Sequence, residues 1–326
     1  MRKLEVTSES WPIAGTFTIA RGSKTSADVV VVTLSRNGFT GHGECVPYAR
    51  YDESVPQILQ ALEAARPAIE ALPSRNAIAS LPLPCAARNA LDCALWDLQC
   101  KEQDMPAWAM AGLSKPHALT TAFTLSLDTP EVMAAAAMAA TGRTLLKLKL
   151  GKTGDADRLA AIRAAVPGAR LIADANEGWL PDILPAMLAA CEKYGVELVE
   201  QPLPADNDEI LRGLPRSIII CADESAHGVD SLKALTGKYD AVNIKLDKTG
   251  GLTPALKMAE AAKANGFKIM VGCMLGTSLS MAPAFLVAQQ ADYVDLDGPL
   301  LLAKDRSSAI TYNGSSMQPP PRALWG

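Results

Sequence analysis

Histidine is scarce in this chain, with only His42, His117 and His227 among 326 residues. That argues against a histidine-rich zinc or copper site. No basic tract is present either: 31 Lys and Arg are interspersed with 35 Asp and Glu for a net charge of −4. An electrostatic footprint for nucleic acid or an anionic membrane is therefore absent from the pattern. No apolar run approaches the roughly 20 residues that a spanning helix needs, and the first residues, Met-Arg-Lys-Leu-Glu-Val-Thr-Ser-Glu, lack the apolar core of a secretory leader. The seven cysteines show no Cys-x-x-Cys spacing. Cys93 and Cys100 fall in an apolar helical pattern and Cys221 and Cys273 in strand-like runs, which reads as reduced, buried thiols. The expectation is a cytoplasmic, globular protein that works on small molecules, its assembly into a homo-oligomer left open.

The chain has an ordinary interior, 49% hydrophobic and 20% charged, and is long enough for a barrel plus a smaller domain. Up to about residue 115 the pattern is strands, then helices. Asp28–Leu34 and Phe39–Glu44 flank Arg36-Asn37-Gly38, a hairpin signal. Val55–Leu72 and Ala86–Cys100 read as helices, the second with Ala90, Ala94 and Leu98 along one stripe. From Ala122 a different rhythm takes over. Thr144–Gly151 carries Lys147 and Lys149 on one strand face and Leu146, Leu148 and Leu150 on the other. Asp174, Glu200, Asp223 and Lys245 then follow at intervals of 25, 26, 23 and 22 residues, each closing a short apolar run. That interval is one strand plus one helix, and a charge at the carboxyl end of successive strands gathers all of them on one rim of a parallel (β/α) barrel. Lys268–Met274 and Tyr293–Asp297 complete eight strands. The last 28 residues show little periodicity and are expected to return across the first domain.

Strands two and six of an eight-stranded barrel stand opposite one another, which sets Lys149 against Lys245. Asp174, Glu200 and Asp223 fill the arc between them, an all-oxygen set suited to Mg²⁺. Asp295 and Asp297 share a face on strand eight and attract a cation. A ligand with a carboxylate on the metal and an ammonium on those aspartates would place its α-carbon between two lysines. Removal of a proton from one face and return to the other inverts that centre. A lysine must be neutral to act as base, and the metal, Lys147 beside Lys149 and Lys248 beyond Lys245 are expected to lower its pKa. Lys147 reads as a tuning charge or a clamp on the substrate carboxylate, and Asn176 and Glu224 as partners of the metal ligands or turn residues. Plainer readings exist: the acids as helix N-caps, the lysines as a solvated edge, the Asp295–Gly298 ending as a turn, and Gly250-Gly251 as a phosphate cradle.

Lys147-Leu-Lys149, Asp174-Ala-Asn176, Glu200-Gln-Pro202, Ala222-Asp-Glu-Ser225 and Asn243-Ile-Lys-Leu-Asp-Lys248, taken in order, resemble the muconate-lactonizing subgroup of the enolase superfamily. Asp295-Leu-Asp-Gly298 resembles the dipeptide epimerases within it, those acting on L-Ala-D/L-Glu in particular. Ile19–Gly22, Gly43–Cys45, Ala87–Asp92 and Gly272–Leu275 extend the likeness over nearly the whole chain. The resemblance implies a (β/α)7β TIM-like barrel (116–298), an α+β capping domain (1–115) and a C-terminal segment (299–326) that returns to the cap. It further implies Mg²⁺ on Asp174, Glu200 and Asp223, Lys149 and Lys245 as the acid/base pair, Asp295 and Asp297 on the substrate ammonium, and a role in recycling cell-wall peptides. One position departs from the pattern: Lys24 stands in the capping loop where relatives carry an arginine for the glutamyl carboxylate, and Arg21 is the alternative for that contact. Competing readings are a cycloisomerase or o-succinylbenzoate synthase on the same scaffold, whose substrates have no ammonium, and a non-catalytic metal- or peptide-binding barrel.

Overall fold

The computed structural model describes residues 2–151 and 153–326. The chain opens with a three-stranded antiparallel sheet, β1 (Lys3–Ile19), β2 (Gly22–Arg36) and β3 (Phe39–Cys45). The hairpin turn between β2 and β3 has Asn37 at φ 52° and Gly38 at φ 83°, the left-handed pair that matches strand twist in a two-residue loop. The residue pattern did not mark β1. It is mostly exposed, with only Leu4 and Ile13 fully buried, so it carries no alternation to read. The single helix expected over 55–72 is two, α1 (Val55–Ala64) and α2 (Arg66–Glu70). Pro67 lacks an N–H and its ring crowds the carbonyl four residues back, so the helix breaks at Ala65. α3 (Cys85–Glu102) lies across the sheet, and Leu91, Leu95 and Leu98 pack on Val30, Val32 and Leu34 in a core of their own.

After α4 (Ala107–Met110) and the short β4 (Leu119–Thr120), eight parallel strands follow in sequence order: β5 (Phe123–Leu125), β6 (Leu145–Lys149), β7 (Arg170–Asp174), β8 (Val196–Glu200), β9 (Ile219–Ala222), β10 (Ala241–Ile244), β11 (Lys268–Gly272) and β12 (Tyr293–Asp295). Two bonds draw the last strand to the first: Ala122 N–H donates to Val294 O (2.8 Å) and Leu296 N–H to Thr121 Oγ1 (2.9 Å). The result is a nearly closed TIM-type barrel beside a separate antiparallel-sheet domain, the fold class the rhythm implied.

Alternation along the strands sorts the side chains. Outward-facing Leu146, Leu148, Ala173, Val199, Ile220, Val242 and Ile269 pack in the main core with residues of the surrounding helices, such as Leu159 of α6 (Asp155–Ala165) and Met258 of α10 (Leu252–Ala264). Helices α5 (Pro130–Ala139), α7 (Leu184–Lys193), α8 (Leu232–Leu235), α9 (Leu246–Thr249) and α11 (Ser278–Ala288) make up the rest of that shell. Facing inward, Ala122, Leu145, Ile172, Leu198, Cys221, Ala241, Met270 and Tyr293 form a separate apolar cluster, one residue from each strand or its lead-in. They plug the barrel with one layer of side chains. Two residues further along the strands, the inward positions turn polar.

The C-terminal residues run back over both parts. β13 (Tyr312–Asn313) and β14 (Ser316–Met317) form a small sheet with β4, and Trp325 Nε1 donates to Cys93 O (3.0 Å) while Gly326 N donates to Asp97 Oδ1 (2.9 Å) on α3. All seven cysteines are free. Among the described residues no helix is long and apolar enough to cross a membrane.

Candidate active site

Above the apolar plug the inward layer reads Thr124, Lys147, Asp174, Glu200, Asp223, Asn243, Gly272 and Asp295, and the next reads Lys149, Lys245 and Asp297. The strand ladder sets this alignment: Lys149 is opposite Asp174 and Asp174 opposite Glu200 in adjacent parallel pairs. All the acids and lysines named here are at least nine-tenths buried, Lys147 at 1% exposure. Buried charges persist only when paired, and these are. Lys147 Nζ lies 2.6 Å from Glu200, 2.7 Å from Asp295 and 3.2 Å from Asp174. Lys149 Nζ donates to Asp174 (2.6 Å) and Lys245 Nζ to Asp223 (2.6 Å). Lys248 Nζ reaches Asp223 Oδ1 and its carbonyl, each at 2.5 Å, and Asn243 O at 3.1 Å.

These pairs decide how two of the lysines titrate. Burial lowers the pKa of Lys245, but Asp223 and Glu200 outweigh it and hold the ammonium well above its ordinary value. Lys147 is raised in the same way, burial being overcome by Asp295, Glu200 and Asp174. Lys147 does lower Lys245, but the closer carboxylates outweigh it. The acids split: burial pushes Asp174 up but Lys149 and Lys147 pull it below the usual range, whereas burial, reinforced by Asp174, lifts Glu200 to about 7. Among the described residues no three acidic, histidine or cysteine side chains stand as a ready-made ion cage. Ammonium groups hold those oxygens instead.

The other candidates fall nearby. Asp297 Oδ2 accepts from Thr124 N (2.6 Å), while Asp295 uses Oδ2 for Lys147 and keeps a buried Oδ1 with no hydrogen-bond donor among the described residues. Asn176, at φ 47°, donates its N–H to Asp174 Oδ1 (2.9 Å). Glu224 accepts from Arg21 (2.7 Å). Arg21 also donates to Asn176 O (2.8 Å), Glu177 (3.1 Å) and Tyr48 OH (3.1 Å), so its guanidinium is engaged with the barrel rim while it lines the cavity. Lys24 is exposed, lies 5.5 Å from the Tyr48 ring and makes no ion pair among the described residues. A cavity of about 460 Å³ lies between the domains, walled by Phe17, Ile19, Lys24, Tyr48 and Tyr51 and floored by Lys147, Lys149, Lys245, Asp295 and Asp297.

Several residues that build this site had no marked role in the sequence. Asn243 Nδ2 donates to Glu200 Oε1 (2.7 Å). Gln201, at the end of β8, holds the segment that follows β9, its Oε1 accepting from Asp223 N (2.9 Å) and Ser225 N (3.1 Å). Glu44, 1% exposed, accepts from Thr277 N (2.8 Å) and Arg306 (2.6 Å) and fastens the N-terminal sheet to the barrel. The Gly250-Gly251 pair does not cradle a phosphate: a Cβ on Gly251 would meet Asp92 at 2.5 Å, and Asp92 takes the Thr253 N–H there (2.8 Å). The glycine admits a carboxylate of the N-terminal domain.

Residues 1–112 match the N-terminal domain of the mandelate racemase / muconate lactonizing enzyme family, and residues 131–320 match the enolase C-terminal domain-like family. The L-Ala-D/L-Glu epimerase of Escherichia coli (strain K12) is 44% identical over 314 residues, 96% of this chain and 98% of that one. An N-acetyl-D-glutamate racemase of Pseudoalteromonas sp. is 46% identical over 303 residues, 91% of this chain and 95% of that one. A crystal structure of an enolase family member from Agrobacterium tumefaciens, with homology to dipeptide epimerases and holding sodium and L-Ala-L-Glu, superposes with a TM-score of 0.98 at 49% identity and covers 100% of both chains. The two domains, the order of the strands that carry the polar layer and these likenesses agree: the chain belongs to the enolase superfamily, with the two-domain build of the mandelate racemase and muconate lactonizing enzymes.

Proposed function

We propose that the chain is a dipeptide epimerase, an isomerase that inverts the α-carbon of the C-terminal residue of L-Ala-D/L-Glu. The observation that carries this reading is the pair Lys149 and Lys245, at the carboxyl ends of opposed strands β6 and β10, with the Asp174–Glu200–Asp223 arc between them. A cation fits that arc on two grounds. The Lys147 ammonium lies among Asp174, Glu200 and Asp295, standing in for positive charge the acids require. The donors are oxygens only, which suits a hard ion such as Mg²⁺. Asp174, Glu200 and Asp223 would hold it, and Mg²⁺ there would supply positive charge beside the substrate carboxylate as the Cα–H bond breaks.

The chain's own groups do the rest. With the three acids committed to a cation, Lys149 and Lys245 would be freed of their pairing with Asp174 and Asp223 and turned to the substrate. One takes the α-proton from its face and the other returns a proton to the opposite face, which is inversion. Asp295 Oδ1, without a donor of its own, suits the substrate's α-ammonium, with Asp297 beside it. Lys147 clamps the carboxylate end and Lys24 faces the glutamyl side chain. Asn176, Glu224 and Lys248 orient the acids. Phe17, Ile19 and Tyr51 wall the cavity and limit water.

The test is proton exchange in D₂O with L-Ala-D-Glu and L-Ala-L-Glu, N-acetylglutamate serving as a competing substrate. Deuterium should enter the glutamyl Cα alone, and EDTA should silence exchange until Mg²⁺ is restored. Lys149→Ala and Lys245→Ala should each abolish exchange from one isomer by about a thousandfold while sparing the other more. Equal residual exchange from both isomers in both variants contradicts the opposed-base reading.

A further inference from the structure

At the cavity wall, Arg21 and Arg50 tie two segments of the N-terminal domain to the barrel rim, and both meet Glu177. Arg50, in the turn over 49–51, pairs with Glu177 through two parallel bonds, Nε to Oε2 at 2.7 Å and Nη2 to Oε1 at 2.8 Å. Arg21, in the turn between β1 and β2, reaches Glu177 Oε2 (3.1 Å) with one nitrogen and Glu224 Oε1 (2.7 Å) with the other. One carboxylate thus holds both segments that roof the cavity. The barrel fixes this carboxylate firmly. Glu177 (φ 65°) follows Asn176 (φ 47°), two consecutive side-chain-bearing residues in the left-handed region, which such residues seldom occupy. Its N–H donates to Gln201 O (2.9 Å), and Ala205 N donates to its Oε1 (3.0 Å).

Exposure of the cations distinguishes this cluster from the ion pairs below it. The side chains of Arg50 and Arg21 are 38% and 28% exposed, against 2% for Lys147, while Glu177 itself is 9% exposed. Breaking the deep pairs would strand two dry charges, whereas here both arginines can part into water and Glu177 keeps the Ala205 N–H. Both segments line the cavity that holds the lysines. We propose that Glu177 is a latch: a positioning residue whose pairing with Arg50 and Arg21 holds the capping segments 19–24 and 47–53 closed over the cavity and sets how readily small molecules enter and leave. The kinetic part of the test rests on the dipeptide reading; the exchange part does not.

Backbone amide hydrogen exchange on the free protein reads the latch without any substrate. In Glu177→Gln, amides of 19–24 and 47–53 should exchange about tenfold faster while the barrel strands are unchanged, and Glu177→Asp should fall between. With L-Ala-D-Glu, the Glu177→Gln KM should rise about three- to tenfold with kcat within about twofold. Salt near 1 M should raise the wild-type KM by a larger factor than that of the variant, because both proteins share the screened substrate contacts but only the wild type has the Arg50–Glu177 ion pair to lose. Should Glu177→Gln fail to fold, Arg50→Gln breaks the same pair from its exposed side and is read by exchange alone. Unchanged exchange in both segments overturns the latch, as does an identical salt response in variant and wild type. Faster segment exchange without any epimerisation would leave the latch standing and remove the dipeptide reading instead.

Discussion

Lys24 shows how much one side chain can decide. It is exposed beside Tyr48 at the cavity wall, whereas Arg21, the alternative contact for a second substrate carboxylate, is spent on Glu177, Glu224, Asn176 and Tyr48. A lysine there offers charge without the planar fork that grips a carboxylate with two parallel bonds. Lys24→Arg should therefore lower KM for glutamyl dipeptides about three- to tenfold and leave dipeptides ending in an apolar residue unaffected. Steady-state kinetics on both substrate types checks this, and an unchanged glutamyl KM removes the loop from specificity. The same scale explains why Lys245 and Lys147 titrate upward. A sequence displays neighbours along the chain, and the carboxylates that hold Lys245 and Lys147 protonated come from other strands.

Among the elements, β10 and β11 depend on each other for the acid arc. Asn243 on β10 holds Glu200 on β8, and the space for its amide exists because β11 ends in glycine: a Cβ at Gly272 would meet Asn243 Oδ1 at 2.7 Å. Gly272→Ala should displace that amide and loosen Glu200. Mg²⁺ affinity, measured by calorimetry, should fall about ten- to hundredfold, the usual effect of losing a group that orients a ligand. The circular dichroism spectrum should be unaltered. Retained affinity would show that Glu200 needs no such support. β11 was readable as a strand, but the reason for its final glycine lies on its neighbour.

At the scale of the molecule, the two domains meet through buried carboxylates. Asp247 accepts from Asn89 Nδ2 (2.8 Å) and Val46 N (3.1 Å) across the interface, and Asp92 from Thr253. Burial, with Glu53 and Glu44 adding to it, lifts Asp247 to about 7, and burial lifts Asp92 to about 6. A carboxyl whose folded pKa is raised keeps its proton better folded than unfolded. Its contribution to stability is complete below about pH 4, where the unfolded group also protonates, and is lost as pH rises through the folded value. The melting temperature should thus decline between pH 5 and pH 8, and Asp247→Asn, which cannot ionise, should decline less. Parallel curves for the two proteins would mean that Asp247 does not titrate in this window.

The strand rhythm, the inward face of each strand and the gathering of Lys147, Lys149, Asp174, Glu200, Asp223, Lys245, Asp295 and Asp297 at one end followed from the order of residues alone. Side chains alternate along a strand, and a parallel barrel puts every carboxyl end on the same rim. β1 escaped notice because it buries almost nothing, and the break at Ala65 because a single proline outweighed the apolar pattern. Which charge pairs with which, Glu177 joining Arg50 and Arg21, Asn243 steadying Glu200, Glu44 binding cap to barrel, was settled only in three dimensions. Those partners are far apart along the chain, and electrostatic energy depends on distance through space and on exclusion of water, neither of which is written in the order of the residues.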